Sequence, residues 1–304
     1  MWLHMRLLEN CNLRCRHCYA NDRSRAAVMD FDVYKQSIDI YSGKVEMRSI
    51  DVDKRVMLSG GEPFLHRRFR DMLEYAYNKS DITHICILTN GILIPEFISY
   101  LERFKDKLKV QVSVEGGEAM DDEIRGRGHF KKAVKALDLL REYGIVYHLS
   151  YTVSKDNMEE YKNFIELAKE FGSAANNMSP YIGEIDKMLS FDEWEAFKQR
   201  VRDYGEQVNL LPPASIRCCG WTYNCASFMG GVTINPDGTL TGCARDNRVI
   251  GNYQEIDKFF INHGYFMHST CMREKWKEDR DEIEKRIKSA MMMKRNLQVT
   301  TQTN

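Results

Sequence analysis

Two apolar spacings alternate along the first two thirds of the chain. Short runs with alternate or continuous apolar positions predict strands, and apolar residues every three or four positions predict helices. Residues 2–8, 55–58, 82–88, 108–114 and 145–153 read as strands, with 176–182 a sixth and more polar one. Between them, residues 31–41, 67–77, 94–104, 130–143 and 158–171 read as helices. Gly43, Gly144 and Gly172 stand where three of these should stop. Such alternation predicts an α/β fold with a parallel sheet. A further helix, 191–204, carries Phe191, Trp194, Phe197 and Val201 on one face, which reads as core packing. Pro212-Pro213 then reads as a stiff linker. Beyond it, 232–234 and 239–241 flank Asn235-Pro236-Asp237-Gly238, the composition of a hairpin turn. A charged helix over 272–293 and a polar tail complete the pattern.

Composition narrows this picture only a little. The 304 residues allow one large α/β domain plus a smaller one. The 44 basic and 44 acidic residues cancel, which argues against a general nucleic-acid binder. No apolar run approaches the ~20 residues that span a bilayer, so no membrane partner is expected. The N-terminus lacks the layout of a signal peptide, and the chain reads as cytoplasmic. Nine cysteines in a reducing compartment point to metal ligation rather than disulfides.

The candidate chemistry begins directly after the first strand. Cys11, Cys15 and Cys18 form C-x3-C-x2-C on one short loop. Three thiolates so placed can hold three corners of a cubane [4Fe–4S] cluster and leave its fourth iron open. A zinc site is the alternative, but it needs four ligands, and His17 is too close to Cys18 in the chain to share a tetrahedron with it. Ser59-Gly60-Gly61-Glu62-Pro63 follows the second strand, where two glycines let backbone approach a ligand closely. Thr89-Asn90-Gly91 follows the third strand. After the fourth come Ser113, Glu115, Gly116, Asp121, Asp122, Arg125, Gly126, Gly128 and Phe130. The Arg125 fork would suit a carboxylate bidentately; a solvated loop arginine is the plainer reading. Cys86 reads as a small buried hydrophobe.

C-x3-C-x2-C followed by aromatic Tyr19, with SGGEP and the Ser113–Phe130 passage in that order, resembles the radical S-adenosylmethionine (SAM) enzymes. The resemblance implies a partial (β/α)6 TIM barrel over residues 1–205. It implies SAM chelated to the open iron, and its reductive cleavage to a 5′-deoxyadenosyl radical that abstracts hydrogen from a substrate. It assigns Gly60, Gly61 and Glu62 to the SAM amino group, and Ser113 and Arg125 to its ribose and carboxylate. Tyr19 is the motif's aromatic residue beside the cofactor. Glu115 replaces the family's more usual aspartate. A reductant such as flavodoxin or ferredoxin would be the electron source.

Residues 206–304 resemble the twitch extension, the shorter relative of the SPASM domain. Cys225 and Cys243 bracket the hairpin as C-x12-G-x4-C, Cys219 stands six residues before Cys225, and Cys271 follows. The resemblance implies one auxiliary iron–sulfur cluster, of [4Fe–4S] type, on Cys219, Cys225, Cys243 and Cys271. A structural zinc on the same residues, or no metal, stays open. Cys218 is spare: it could donate hydrogen to a substrate radical, or simply pack.

Two substrate classes compete. One is a peptide or protein side chain; with ten residues before Cys11, a separate leader-binding protein would then be expected. The other is a small molecule such as a sugar, aminocyclitol or nucleoside, dehydrogenated or epimerised. A non-catalytic iron–sulfur or zinc module leaves SGGEP and Ser113–Phe130 without purpose.

Overall fold

The computed structural model describes residues 2–18, 27–43, 53–173, 175–208, 216–218, 231–242 and 249–258. Seven strands run parallel to one another in sequence order: β1 (Trp2–Arg6), β2 (Lys54–Ser59), β3 (Ile82–Thr89), β4 (Leu108–Ser113), β5 (Val146–Val153), β6 (Ala175–Pro180) and β7 (Ile216–Cys218). Helices α1 (Phe31–Gly43), α2 (Phe69–Tyr77), α3 (Ile94–Leu101), α4 (Glu118–Arg125), α5 (His129–Glu142), α6 (Tyr161–Phe171) and α7 (Phe191–Gln207) connect them. The α/β reading and its parallel sheet therefore hold, and the open order is that of a partial barrel.

Alternation within each strand decides what faces what. Leu3, Met5, Val56, Leu58, Ile85, Ile87, Val110, Val112, Leu149 and Tyr151 are fully buried and form one apolar face of the sheet. At ~25 cal/mol per Å² of apolar surface removed from water, this face is the main source of cohesion. The opposite face carries Gln111, Ser113, His148, Ser150, Thr152 and Asn177, all only partly buried. The predicted core stripe of α7 is real: Trp194 and Phe197 are fully buried and Val201 nearly so. A capping box starts α7, with Ser190 Oγ accepting the Glu193 N–H at 3.2 Å and Glu193 Oε2 accepting the Ser190 N–H at 2.5 Å.

The C-terminal hairpin forms where its turn composition places it, as β8 (Gly231–Ile234) and β9 (Thr239–Thr241). Gly238 adopts φ +83° in the turn, a conformation glycine takes without strain. A short outer strand, β10 (Val249–Asn252), extends the hairpin. Unforeseen is where the hairpin sits. β8 pairs in parallel with β1, so the ten strands among the described residues form one sheet, ordered β10-β9-β8-β1-β2-β3-β4-β5-β6-β7. Side chains lock this seam: Arg6 donates to Asn235 Oδ1 at 2.9 Å, and His4 lies between Ser59 Oγ (2.5 Å) and Thr233 Oγ1 (3.5 Å).

Three further elements are absent from the sequence reading. The passage 118–125, EAMDDEIR, is mostly charged and shows no apolar period that assigns it an element, yet it forms α4. β7 and β10 are too short to show a period. The linker prolines and the 272–293 helix lie outside the described residues.

Candidate active site

Every motif singled out in the barrel half of the sequence lies at the carboxyl end of a parallel strand, where barrel folds place their sites. The cysteine loop leaves β1 and is fastened on two sides. On one side the SGGEP turn grips it: Gly61 N–H donates to Leu8 O at 2.8 Å, and Glu62 N–H to Asn10 O at 2.9 Å. Gly61 has no room for more than hydrogen, since a Cβ there would lie 2.1 Å from Asn10 O and 2.6 Å from Glu9 O. On the other side Arg16 N–H donates to Ile124 O of α4 at 2.9 Å, and the Arg16 side chain pairs with Glu123.

Glu62 is fully buried, and its side chain has a structural task. It accepts from Thr89 Oγ1 (2.8 Å), the Asn90 N–H (2.9 Å) and the Phe64 N–H (3.4 Å), joining the end of β2 to the end of β3. Burial pushes its carboxyl up to about 7, despite these donors.

The acidic pair Asp121-Asp122 divides its work. Asp122 accepts from the Gly128 N–H (2.6 Å) and the Phe130 N–H (2.9 Å), capping α5 from outside. Asp121 turns inward, accepting the Glu115 N–H at 2.8 Å and facing His129 Nδ1 at 2.5 Å. Arg125, at the end of α4, is 8% exposed and lies among anionic groups. Its Nη2 donates to Glu115 Oε1 at 2.5 Å, and its Nη1 lies 4.0 Å from Cys15 Sγ. Burial opposes its charge, but Glu115, Cys15 and Asp121 outweigh this and hold its pKa above the ordinary value. The plain solvated-arginine reading is thereby excluded. Glu115 also accepts the Thr152 N–H at 3.0 Å and sits 3.4 Å from His17 Nε2.

Cys11, Cys15 and Cys18 are all free thiols. Burial raises Cys15 to about 11, with Arg125 pulling the other way, and burial also raises Cys11. Metal binding must therefore displace protons here. N–H groups face two of the sulfurs: Leu13 N–H donates to Cys11 Sγ at 3.4 Å, Asn90 Nδ2 lies 3.8 Å from the same atom, and Arg125 faces Cys15. Among the described residues, no three His, Cys, Asp or Glu side chains converge on a point for one metal ion. Cysteines that each take a separate corner of a cluster need no such point. One further donor is uncommitted: Arg125 Nε is buried without a hydrogen-bond partner among the described residues, with Asp121 Oδ1 3.8 Å away. A small cleft of about 50 Å³ opens beside the loop, walled by Arg16, His17, Ile124, Ser154, Asp156 and Tyr181 among others.

Of the other sequence candidates, Gly60 backs onto Leu8 and Ser113 ends β4 on the polar face of the sheet. Cys218 ends β7, paired with Met178, far along the sheet order from the hairpin. Tyr19, Cys219, Cys225, Cys243 and Cys271 lie outside the described residues. Sequence reasoning missed Asn90, Asp121 and His129 as site residues. The Thr89-Asn90-Gly91 and Asp121-Asp122 stretches stood out, but nothing local distinguishes the inward-facing member of each.

A loop of three thiols at the carboxyl ends of a parallel sheet, with N–H groups facing two of its sulfurs and a buried guanidinium beside it, is a donor set suited to an iron–sulfur cluster on an α/β fold. Residues 5–168 match the Radical SAM superfamily, and the chain belongs to it. Membership implies a [4Fe–4S] cluster and SAM, and the donor set described above fits both. Among curated proteins, the chain is similar to the antilisterial bacteriocin subtilosin biosynthesis protein AlbA of Bacillus subtilis (strain 168). They are 24% identical over 257 residues, covering 78% of this chain and 53% of AlbA. It is also 34% identical over 175 residues to an AdoMet-dependent heme synthase of Methanosarcina barkeri (strain Fusaro), covering 56% of this chain and 47% of that one. The chain thus spans about half the length of these relatives. Among solved structures, native anSMEcpe with bound AdoMet and Cp18Cys peptide shares the fold, with a TM-score of 0.68, 17% identity, and 90% and 86% of the two chains covered. No helix among the described residues is long and apolar enough to cross a membrane.

Proposed function

We propose that this protein is a radical SAM enzyme that modifies a peptide or protein side chain. The observation that carries the reading is the three-cysteine loop clasped by the SGGEP turn on one flank and by α4, with Arg125, on the other. When bound, the cluster and SAM supply a 5′-deoxyadenosyl radical that abstracts hydrogen from the substrate. The chain's own residues do the rest. Cys11, Cys15 and Cys18 hold the cluster. Gly60 and Gly61 present backbone at close range, and the Glu62 carboxylate fixes that turn rather than reaching outward. Arg125 offers its Nε, which makes no hydrogen bond among the described residues, to a carboxylate. Ser113 lies at a strand end for the ribose. The polar face with Gln111, His148, Ser150 and Asn177 floors the substrate space.

Residues 1–205 form the catalytic unit. Residues 206–304 form a twitch-like unit whose Cys219, Cys225, Cys243 and Cys271 hold one auxiliary cluster, with Cys218 a candidate hydrogen donor. A flavodoxin- or ferredoxin-type reductant, a separate leader-binding protein and a cytoplasmic location complete the reading. AlbA, named for bacteriocin biosynthesis, and the peptide-bound anSMEcpe structure support the peptide class. The heme synthase, more identical over a shorter span, supports the second reading, a small-molecule substrate.

Anaerobic reconstitution tests the proposal, followed by iron counting and assay of 5′-deoxyadenosine with SAM, a strong reductant and candidate peptides. About eight irons per chain fit two cubane clusters. The triple variant Cys11→Ala/Cys15→Ala/Cys18→Ala should lose half of them and all deoxyadenosine formation. Wild-type protein that forms a cluster yet never yields deoxyadenosine would sink the enzyme reading.

A further inference from the structure

Among the fully buried ionisable side chains are two near the cysteine loop to which this reading gives no task. Asp121 and His129 are 0% and 1% exposed, and neither touches a cysteine. Each, however, contacts a residue that does. His129 Nε2 lies 3.0 Å from the main-chain oxygen of Asn90, and Asn90 Nδ2 lies 3.8 Å from Cys11 Sγ and 2.7 Å from Asn12 Oδ1. Asp121 Oδ1 lies 3.8 Å from Arg125 Nε, and Arg125 Nη1 lies 4.0 Å from Cys15 Sγ. A path therefore runs from one cluster sulfur to another: Cys11, Asn90, His129, Asp121, Arg125, Cys15.

The protons on this path follow from the geometry. The Asn90 carbonyl can only accept, so His129 Nε2 carries hydrogen and donates to it. His129 Nδ1 and Asp121 Oδ2, 2.5 Å apart, then share one proton. The pair is neutral as a whole, and it is rigid, because both ring nitrogens and both carboxylate oxygens are engaged.

We propose that Asp121 and His129 are positioning residues for the iron–sulfur cluster. They fix the Asn90 main chain, from which its amide reaches the loop, and the Arg125 guanidinium, so that N–H groups face the sulfurs of Cys11 and Cys15, and through these donors they set its reduction potential. The inference rests on the cluster assigned to Cys11, Cys15 and Cys18 above. N–H groups directed at a thiolate draw charge from it and stabilise the reduced, more negative cluster. Loosening them lowers the potential. A purely structural bolt between α4 and α5 is already present in Asp122, which caps Gly128 and Phe130 from its half-buried position on α4. Asp122 is thus the internal control.

The test is a potentiometric titration of the reconstituted full chain, followed by electron paramagnetic resonance, with iron and sulfide counted per chain. Asp121→Asn is the informative variant, because the shared proton leaves with the carboxylate and His129 with its new amide neighbour stays neutral as a pair. It should keep its iron and show a reduced-to-oxidised cluster ratio about tenfold lower at the wild-type midpoint, ~59 mV for one electron. Asn90→Ala, which keeps the main-chain carbonyl that His129 uses, should shift the potential in the same direction. It carries the test if Asp121→Asn does not load iron. Asp122→Asn should show no negative shift; if charge alone mattered, its loss would raise the potential. Wild-type midpoints in both Asp121→Asn and Asn90→Ala, at full iron content, overturn the proposal and leave the cluster assignment standing. A wild-type chain that takes up no iron overturns both.

Discussion

The close approach of Gly61 to the cysteine loop makes a substitution there unusually informative. In Gly61→Ala the new Cβ would meet Asn10 O at 2.1 Å, Asn10 C at 2.4 Å and Glu9 O at 2.6 Å. All three are main-chain atoms, so no rotamer change relieves the clash, and the loop must retreat by about 1 Å to restore van der Waals spacing. That retreat strains or breaks Gly61 N–H to Leu8 O and Glu62 N–H to Asn10 O, each a net ~1 kcal/mol. Overpacking against a rigid neighbour adds about 1–3 kcal/mol, for a total of roughly 3–5 kcal/mol. The loop can escape most of this by undocking, because only its own contacts are at stake. The expected result is therefore a melting temperature lowered by only a few degrees and iron uptake at the three cysteines reduced at least tenfold. Reconstitution with iron counting, beside thermal melts followed by circular dichroism, reads both. Gly144→Ala is the control: it sits at φ +66° with nothing within 4 Å, so it carries backbone strain of about 1 kcal/mol and no clash. Full iron loading in Gly61→Ala would refute the claim that this contact docks the loop.

Other outcomes follow from the same geometry. Thr89→Val leaves the Gly91 N–H and Glu62 Oε1 each short of a buried partner, and should cost about 1–3 kcal/mol in urea unfolding; an unchanged midpoint would count against the Glu62 clamp. His4 is held neutral, its pKa lowered to about 3 by burial and then by Arg6. Its folded value lies below the unfolded 6.5, so its stabilisation is complete above pH 6.5 and is lost as pH falls. Between pH 8 and pH 5 the loss from this one group is about 2 kcal/mol, and His4→Gln should show a pH dependence flatter by that amount. Gly231→Ala would put a Cβ 2.8 Å from the Cβ and the carbonyl oxygen of Trp2. Hydrogen-exchange protection along β1 should then drop by about 1–3 kcal/mol, and unchanged protection would mean the seam tolerates a side chain.

The strands and helices were legible because their periods are local properties of ten or so residues. The cysteine loop was legible because its ligands are neighbours in the chain. The partners of Glu62 were not, since Thr89 and Asn90 lie at the next strand end and come near only once β2 and β3 pair. Asp121 and Asp122 look alike in sequence; only the bend between α4 and α5, made at Gly126 (φ +113°) and Gly128 (φ +79°), sends one inward and the other to a helix end. The hairpin's turn could be read from Asn-Pro-Asp-Gly, but nothing in that turn says that β8 will align with β1.

That alignment bears on how the chain reaches its folded state. Arg6 and Asn235, bonded across the seam, are 229 residues apart in sequence. At typical synthesis rates, tens of seconds separate the appearance of the two on the ribosome. During that interval β1 can pair with β2 but presents a bare edge on its other side, and contacts of such long range form slowly. The thiols of Cys11, Cys15 and Cys18 are thus made early, on a loop that leaves a strand completed late. Loading of iron onto a finished site belongs to the end of the chain's maturation, and an oxidant reaching the nascent protein meets those thiols first.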